Sequence, residues 1–122
     1  MPQITVDHSH SVTAGFDREG FARDLHAATV EIAAARPEAC KTQFRPADLT
    51  AYGYEDPKER RHAVVHVTIG LLAGRTDDTK ARLTETALEL LKKHLKGDGA
   101  VVHASAEVRD LDASYRKFEG EL

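Results

Sequence analysis

Two rounds of one periodicity constrain this chain most: alternation at period two, an apolar stripe at helical spacing, then alternation again. Residues 3–8 (Gln-Ile-Thr-Val-Asp-His) put Ile4 and Val6 on one side and Thr5 and Asp7 on the other, the pattern of a half-buried strand. After a Ser/Thr/Gly loop, Asp17 is placed to cap a helix running to about Ala35. Its Phe21, Leu25, Ala28 and Ile32 recur at steps of four, three and four. Arg36-Pro37 ends that helix, because proline has no amide N–H to donate and restricts the residue before it. Residues 42–54 read as a second strand region interrupted near Pro46, with a turn-like run Glu55-Asp56-Pro57-Lys58 after it.

The second round is cleaner. Over residues 61–71, Ala63, Val65, Val67, Ile69 and Leu71 face one way and His62, Val64, His66 and Thr68 the other. Thr76 opens a helix with Asp77 and Asp78 in its first turn, where negative charge suits the helix dipole. Leu83, Ala87, Leu90, Leu91 and Leu95 form its core face, and Lys92, Lys93 and Lys96 load its end before Gly97. A last strand over about 100–109 sets Val102, Ala104, Ala106 and Val108 against His103, Ser105, Glu107 and Arg109.

Strand, helix, strand, twice over, predicts a layered α/β fold of α+β character: duplicated β-α-β units forming a four-stranded mixed sheet with two helices on one face. The 122 residues fit one domain with halves at about 1–60 and 61–122. The other sheet face is then polar, and His66, His103, Asp7 and Glu107 are expected to form a hydrogen-bonded network there, satisfied across subunits.

Composition narrows the function classes. With 41% hydrophobic and 30% charged residues the chain reads as a globular protein, and its apolar runs are too short to span a bilayer. A net charge of −3 argues against nucleic-acid binding. The single cysteine, Cys40, cannot form an internal disulfide, and the N-terminus lacks the basic start and apolar centre of a signal peptide; both fit the cytoplasm. Seven histidines raise the question of metal, with His8 and His10 sharing a strand face if the strand reaches that far. No His-Glu-x-x-His or Cys-x-x-Cys spacing is present, so no metal is expected. No Cys-His-Asn arrangement marks Cys40 as a nucleophile.

Three stretches resemble a known family: the start Met1-Pro2-Gln3-Ile4-Thr5-Val6, the strand-to-turn block Val65-His66-Val67-Thr68-Ile69-Gly70-Leu71-Leu72-Ala73-Gly74-Arg75-Thr76, and Ser105-Ala106-Glu107-Val108-Arg109-Asp110-Leu111. Together they resemble the 5-carboxymethyl-2-hydroxymuconate delta-isomerase family of the tautomerase superfamily, which includes 4-oxalocrotonate tautomerase. The resemblance implies a cytoplasmic homotrimer of duplicated β-α-β units, acting without a cofactor on a small unsaturated dicarboxylate from aromatic-compound catabolism. It implies Pro2, made N-terminal by loss of Met1, as the proton-transfer residue and Arg75 as a carboxylate ligand. The family's further arginine follows the first helix; here Lys41 or Arg45 supplies a cation in that region.

The chemistry suits these residues. Enol-to-keto conversion moves one proton between two atoms of one substrate, which a single group of near-neutral pKa can do. An ordinary α-amino group titrates at about 7.7–8.0, and the more basic proline nitrogen needs burial and neighbouring cations to remain a free base at neutral pH. The same cations would hold carboxylates and stabilise charge on the 2-oxo end. An alternative enzyme on this scaffold is a hydratase or dehalogenase that adds water to an unsaturated acid, with Glu38 or Glu55 as its carboxylate. An alternative of another class is a non-catalytic trimeric binding protein whose Pro2 nitrogen stays blocked.

Overall fold

The computed structural model describes residues 2–97 and 99–122. Four strands, β1 (Gln3–Ser9), β2 (Lys41–Ala47), β3 (His62–Leu71) and β4 (Val101–Asp110), form one sheet in the order β2-β1-β3-β4. β1 runs parallel to β2 and antiparallel to β3, and β3 runs parallel to β4. Two helices, α1 (Arg18–Ala33) and α2 (Asp77–His94), connect the strands of each half. No helix among the described residues is long and apolar enough to cross a membrane. The mixed sheet with its two helices is the architecture the doubled periodicity predicts.

One face of the sheet makes the core. Ile4 and Val6 of β1 and Val65, Val67, Ile69 and Leu71 of β3 are buried against Phe21 and Leu25 of α1 and Leu83, Ala87 and Leu91 of α2. Asp17 caps α1 by accepting from the Gly20 N–H, and Thr76 caps α2 by accepting from the Thr79 N–H. The buried line on α1 is Phe21, Leu25, Thr29 and Ala33, so Thr29 takes the place expected for Ala28. A threonine is tolerated there because its hydroxyl donates to the Leu25 carbonyl at 2.7 Å and needs no other partner. Helix α1 stops at Ala33, earlier than the expected Ala35, because Ala34 turns into the left-handed region at φ 57°. β2 is also shorter than expected: it ends at Ala47, and a short 3-10 turn over Pro57–Glu59 interrupts the long connection to β3. His10 lies in a 3-10 turn beyond β1, so it does not share a strand face with buried His8.

Gly15 holds the first connection against the end of α2. Its carbonyl accepts from the Lys96 N–H at 2.8 Å, and Phe16 bridges to Leu95 beside it. A Cβ at position 15 would collide with the Lys96 carbonyl oxygen, which is backbone and cannot swing away. Gly15→Ala is therefore expected to lower unfolding free energy by about 1–3 kcal/mol in a denaturant titration. An unchanged midpoint would mean that this contact opens freely.

The polar face carries three separate groups instead of one network. Asp7 of β1 takes a bidentate hydrogen bond from Arg45 of β2 at 2.8 and 3.1 Å. His66 bonds Ser105 at 2.7 Å and Glu107 at 2.6 Å, and Glu107 also accepts from Arg109. His62 bonds His103 at 2.9 Å, with Tyr52 stacked on both rings. The expected network is thus split. Asp7 lies opposite His66 in the register, yet on its other side stands Arg45, whose two-pronged fork matches a carboxylate better than an imidazole does.

Candidate active site

Strand register places the sequence-predicted residues. Gln3 is flanked by Lys41 at the start of β2 and Gly70 near the end of β3, so Pro2 stands at the sheet end where β2 begins and β3 finishes. Its side chain is fully buried, and its carbonyl accepts from the Lys41 N–H at 3.4 Å. The ring fixes φ, which holds the nitrogen rigidly at the start of the strand. Met1, whose removal would free that nitrogen, lies outside the described residues.

Arg75 reaches the same end from the turn after β3. Its Nε and Nη2 donate to the Ala33 carbonyl at 3.3 and 3.0 Å, and Nη1 donates to the Leu72 carbonyl at 3.2 Å. The guanidinium thus closes the C-terminal end of α1, where the helix dipole favours a cation. A guanidinium has five N–H donors, so these contacts leave one N–H on each terminal nitrogen. Lys41 is exposed and donates from Nζ to the Ala39 carbonyl at 3.1 Å.

The charges sort themselves by partner. Arg36 pairs with Glu38, Arg45 with Asp7 and Arg109 with Glu107, each with a carboxylate. Among the described residues, the side chains of Lys41 and Arg75 instead hydrogen-bond backbone carbonyls, with no carboxylate among their hydrogen-bond partners. Arg45 is four residues along β2 from Lys41, beside Asp7, and so stands apart from the Pro2 end. The register sets Lys41 beside Pro2 and Arg45 beside Asp7, and the turn after β3 carries Arg75 at the same end of the sheet as Pro2.

The carboxylates considered for water activation fare differently. Glu55 accepts the Arg61 N–H at 2.6 Å, in the connection that meets the start of β3, at the opposite end of the sheet from Pro2. Glu38 stands near Cys40, but its own backbone N–H and the Arg36 guanidinium hold its carboxyl below the usual range. It is a charged, ion-paired acid with little basicity.

Cys40 precedes Lys41, and its thiol lies 3.5 Å from the Arg36 carbonyl. Burial pushes the thiol above its ordinary value, which lowers the thiolate fraction at neutral pH. Alkylation by iodoacetamide at pH 7.5 is therefore expected to be slower than that of a free thiol such as glutathione, and to accelerate as pH rises. Faster alkylation would mark an activated nucleophile.

The C-terminal segment, including Tyr115-Arg116-Lys117-Phe118, whose placement the sequence leaves open, also reaches this end of the sheet. Tyr115 accepts from Gln3 Nε2 at 3.3 Å, across 112 residues of separation, and brings the C-terminal segment to the Pro2 end. Leu111 begins that segment by donating its N–H to the Leu71 carbonyl at 2.7 Å and packing over Gly70, where any side chain would meet it. Lys117 holds the Glu119 carboxyl below its usual range, with Lys41 and Arg36 adding to the effect, so the tail's acid lies within the field of this site. No pattern near Tyr115 or Glu119 announces these long-range placements.

The fold is a small sheet built from two strand-helix-strand rounds, and its first strand begins beside a buried proline. Several solved structures are similar in fold to this chain over nearly its whole length. One is a 5-carboxymethyl-2-hydroxymuconate delta-isomerase, with TM-score 0.76 and 15% identity over 98% of this chain and 89% of the other. A 5-carboxymethyl-2-hydroxymuconate isomerase from Deinococcus radiodurans R1 gives TM-score 0.76 and 17% identity over 97% and 90%. A fused 4-OT symmetric trimer gives 0.70 and 20% over 98% and 93%. At these identities the likeness establishes the shared tautomerase-type fold. No family model and no curated protein matches the chain.

Proposed function

We propose that this chain is a cofactor-independent isomerase of the tautomerase superfamily, interconverting enol and keto forms of an unsaturated dicarboxylate such as 5-carboxymethyl-2-hydroxymuconate. The observation that carries this reading is the placement of buried Pro2, Lys41 and Arg75 at one end of the sheet, with the hydrogen bonds of both cations going to backbone carbonyls. The likeness of the fold to solved isomerases supports it.

In this mechanism the Pro2 nitrogen, free after loss of Met1, takes the proton of the 2-hydroxyl group. The electron pair of that O–H bond becomes the carbonyl, the adjacent double bonds shift, and the far carbon, C5, receives the proton back from Pro2. Arg75 and Lys41 bind the two carboxylates, and their charge favours both the free base at Pro2 and the negative oxygen that develops in the transition state. In this reading the walls around Pro2 are completed by neighbouring copies in a homotrimer assembled through the polar sheet face. The protein works in the cytoplasm on a product of aromatic-compound breakdown.

Ketonisation of the dienol, followed by absorbance, tests the assignment of cations. Lys41→Ala is expected to raise KM by about tenfold or more, the worth of a charge-assisted hydrogen bond. Arg45→Ala is expected to leave KM within about twofold, a change smaller than the loss of one ordinary hydrogen bond. The reverse ranking would move the second carboxylate site to Arg45 and away from Pro2.

A further inference from the structure

At the end of the sheet opposite Pro2 lies an open cleft of about 510 Å³, lined by the end of β1 and the turn after it, the end of β2, the connection into β3 and the approach to β4. Its volume is within the range of small-molecule sites. Among the described residues, Arg60, Arg61, His10 and His62 line it with one carboxylate, Asp48, while Glu55, Asp56 and Glu59 stand on the other side of Arg61 and His62.

The hydrogen bonds around the cavity leave donors unspent. The backbone of Arg61 is fixed on both sides, its N–H donating to Glu55 at 2.6 Å and its carbonyl accepting from the Val101 N–H at 2.8 Å. Its guanidinium makes no hydrogen bond among the described residues. Arg60 uses only Nε, on the Pro57 carbonyl at 3.2 Å. Ser9 accepts from the Val64 N–H at 2.9 Å and donates to Thr50 Oγ1 at 2.8 Å, so the Thr50 hydroxyl proton remains to be given. His62 is held through Nδ1 by His103 at 2.9 Å, which leaves Nε2 free.

A lone carboxylate is planar and is satisfied by one guanidinium fork. Two guanidiniums with a hydroxyl and imidazoles offer more donors, from more directions, than it can accept. A phosphoryl group presents three acceptor oxygens in a tetrahedral arrangement and up to two negative charges, which matches that donor set. We propose that this cavity is a phosphoryl-binding site in which Arg60 and Arg61 carry the charge recognition and Thr50 donates from its hydroxyl. The site is separate from Pro2 and independent of the reaction assigned there.

Isothermal titration of the whole protein in phosphate-free buffer at low salt, with inorganic phosphate and with glycerol 3-phosphate, tests this. Saturable binding is expected, weakened about tenfold or more in Arg61→Gln and further in the double variant Arg60→Gln/Arg61→Gln. Arg45→Gln, which removes an exposed guanidinium elsewhere, is expected to bind as the parent does. Tighter binding of the ester assigns the site to an organic phosphate, and equal binding assigns it to free phosphate; either ranking supports a phosphoryl site. Absence of saturable heat, indifference to Arg61→Gln, or an equal loss in Arg45→Gln overturns it. Both arginines are exposed, and a matching unfolding midpoint confirms that the variants fold.

Discussion

Pro2→Ala is expected to lower kcat/KM for dienol ketonisation by about 10²-fold or more, the scale of a positioned general acid–base group. Alanine at position 2 still allows Met1 removal and still presents an amine, so the variant does not abolish amine chemistry. What it loses is the ring, which fixes φ and is buried at the start of β1. A primary amine on a freely rotating alanine samples many directions, and a misplaced base loses most of its advantage. KM is expected to change little, because in the proposed mechanism Lys41 and Arg75, which the variant leaves intact, bind the carboxylates. Full kcat/KM in Pro2→Ala would remove Pro2 from the reaction.

Arg75→Ala carries the second large effect, and it has two parts. The Ala33 carbonyl loses both of its guanidinium donors and the Leu72 carbonyl loses one, an expected cost of about 1–3 kcal/mol in unfolding free energy. Separately, kcat/KM is expected to fall by about 10²–10³-fold, the scale seen when a preorganised donor to a developing anion is removed. Arg75→Lys separates the two: an ammonium keeps the charge but cannot span both carbonyls and a ligand, so it recovers part of the activity. If Arg75→Ala destabilises the fold and leaves kcat/KM unchanged, the guanidinium is a helix cap and nothing more.

The doubled strand–helix–strand pattern was legible because Val65, Val67, Ile69 and Leu71 alternate without interruption and the α2 face repeats on leucine. Features that depend on pairing between strands were not. Lys41 and Arg45 lie on one face of β2 and are equivalent in a sequence; only the match of Gln3 to Lys41 separates them, by setting Lys41 beside Pro2 and Arg45 beside Asp7. The same register divides the polar face into three groups. Periodicity alone placed Ala28 on the buried line of α1, since it cannot show that the Thr29 hydroxyl is satisfied by its own helix. Tyr115 was out of reach for another reason. Its partner Gln3 is at the far end of the chain, and no local preference encodes a contact of that span.

The most direct measurement compares two preparations of this one chain, one with Met1 removed and one with a residue retained ahead of Pro2, each defined by intact mass. In the second, the Pro2 nitrogen is a tertiary amide without basicity, while Lys41 and Arg75 are unchanged. Ketonisation is expected to follow the fraction of chains with a free proline nitrogen and to fall by about 10²–10⁴-fold when that nitrogen is acylated. Equal turnover by the two preparations would contradict proton transfer at Pro2.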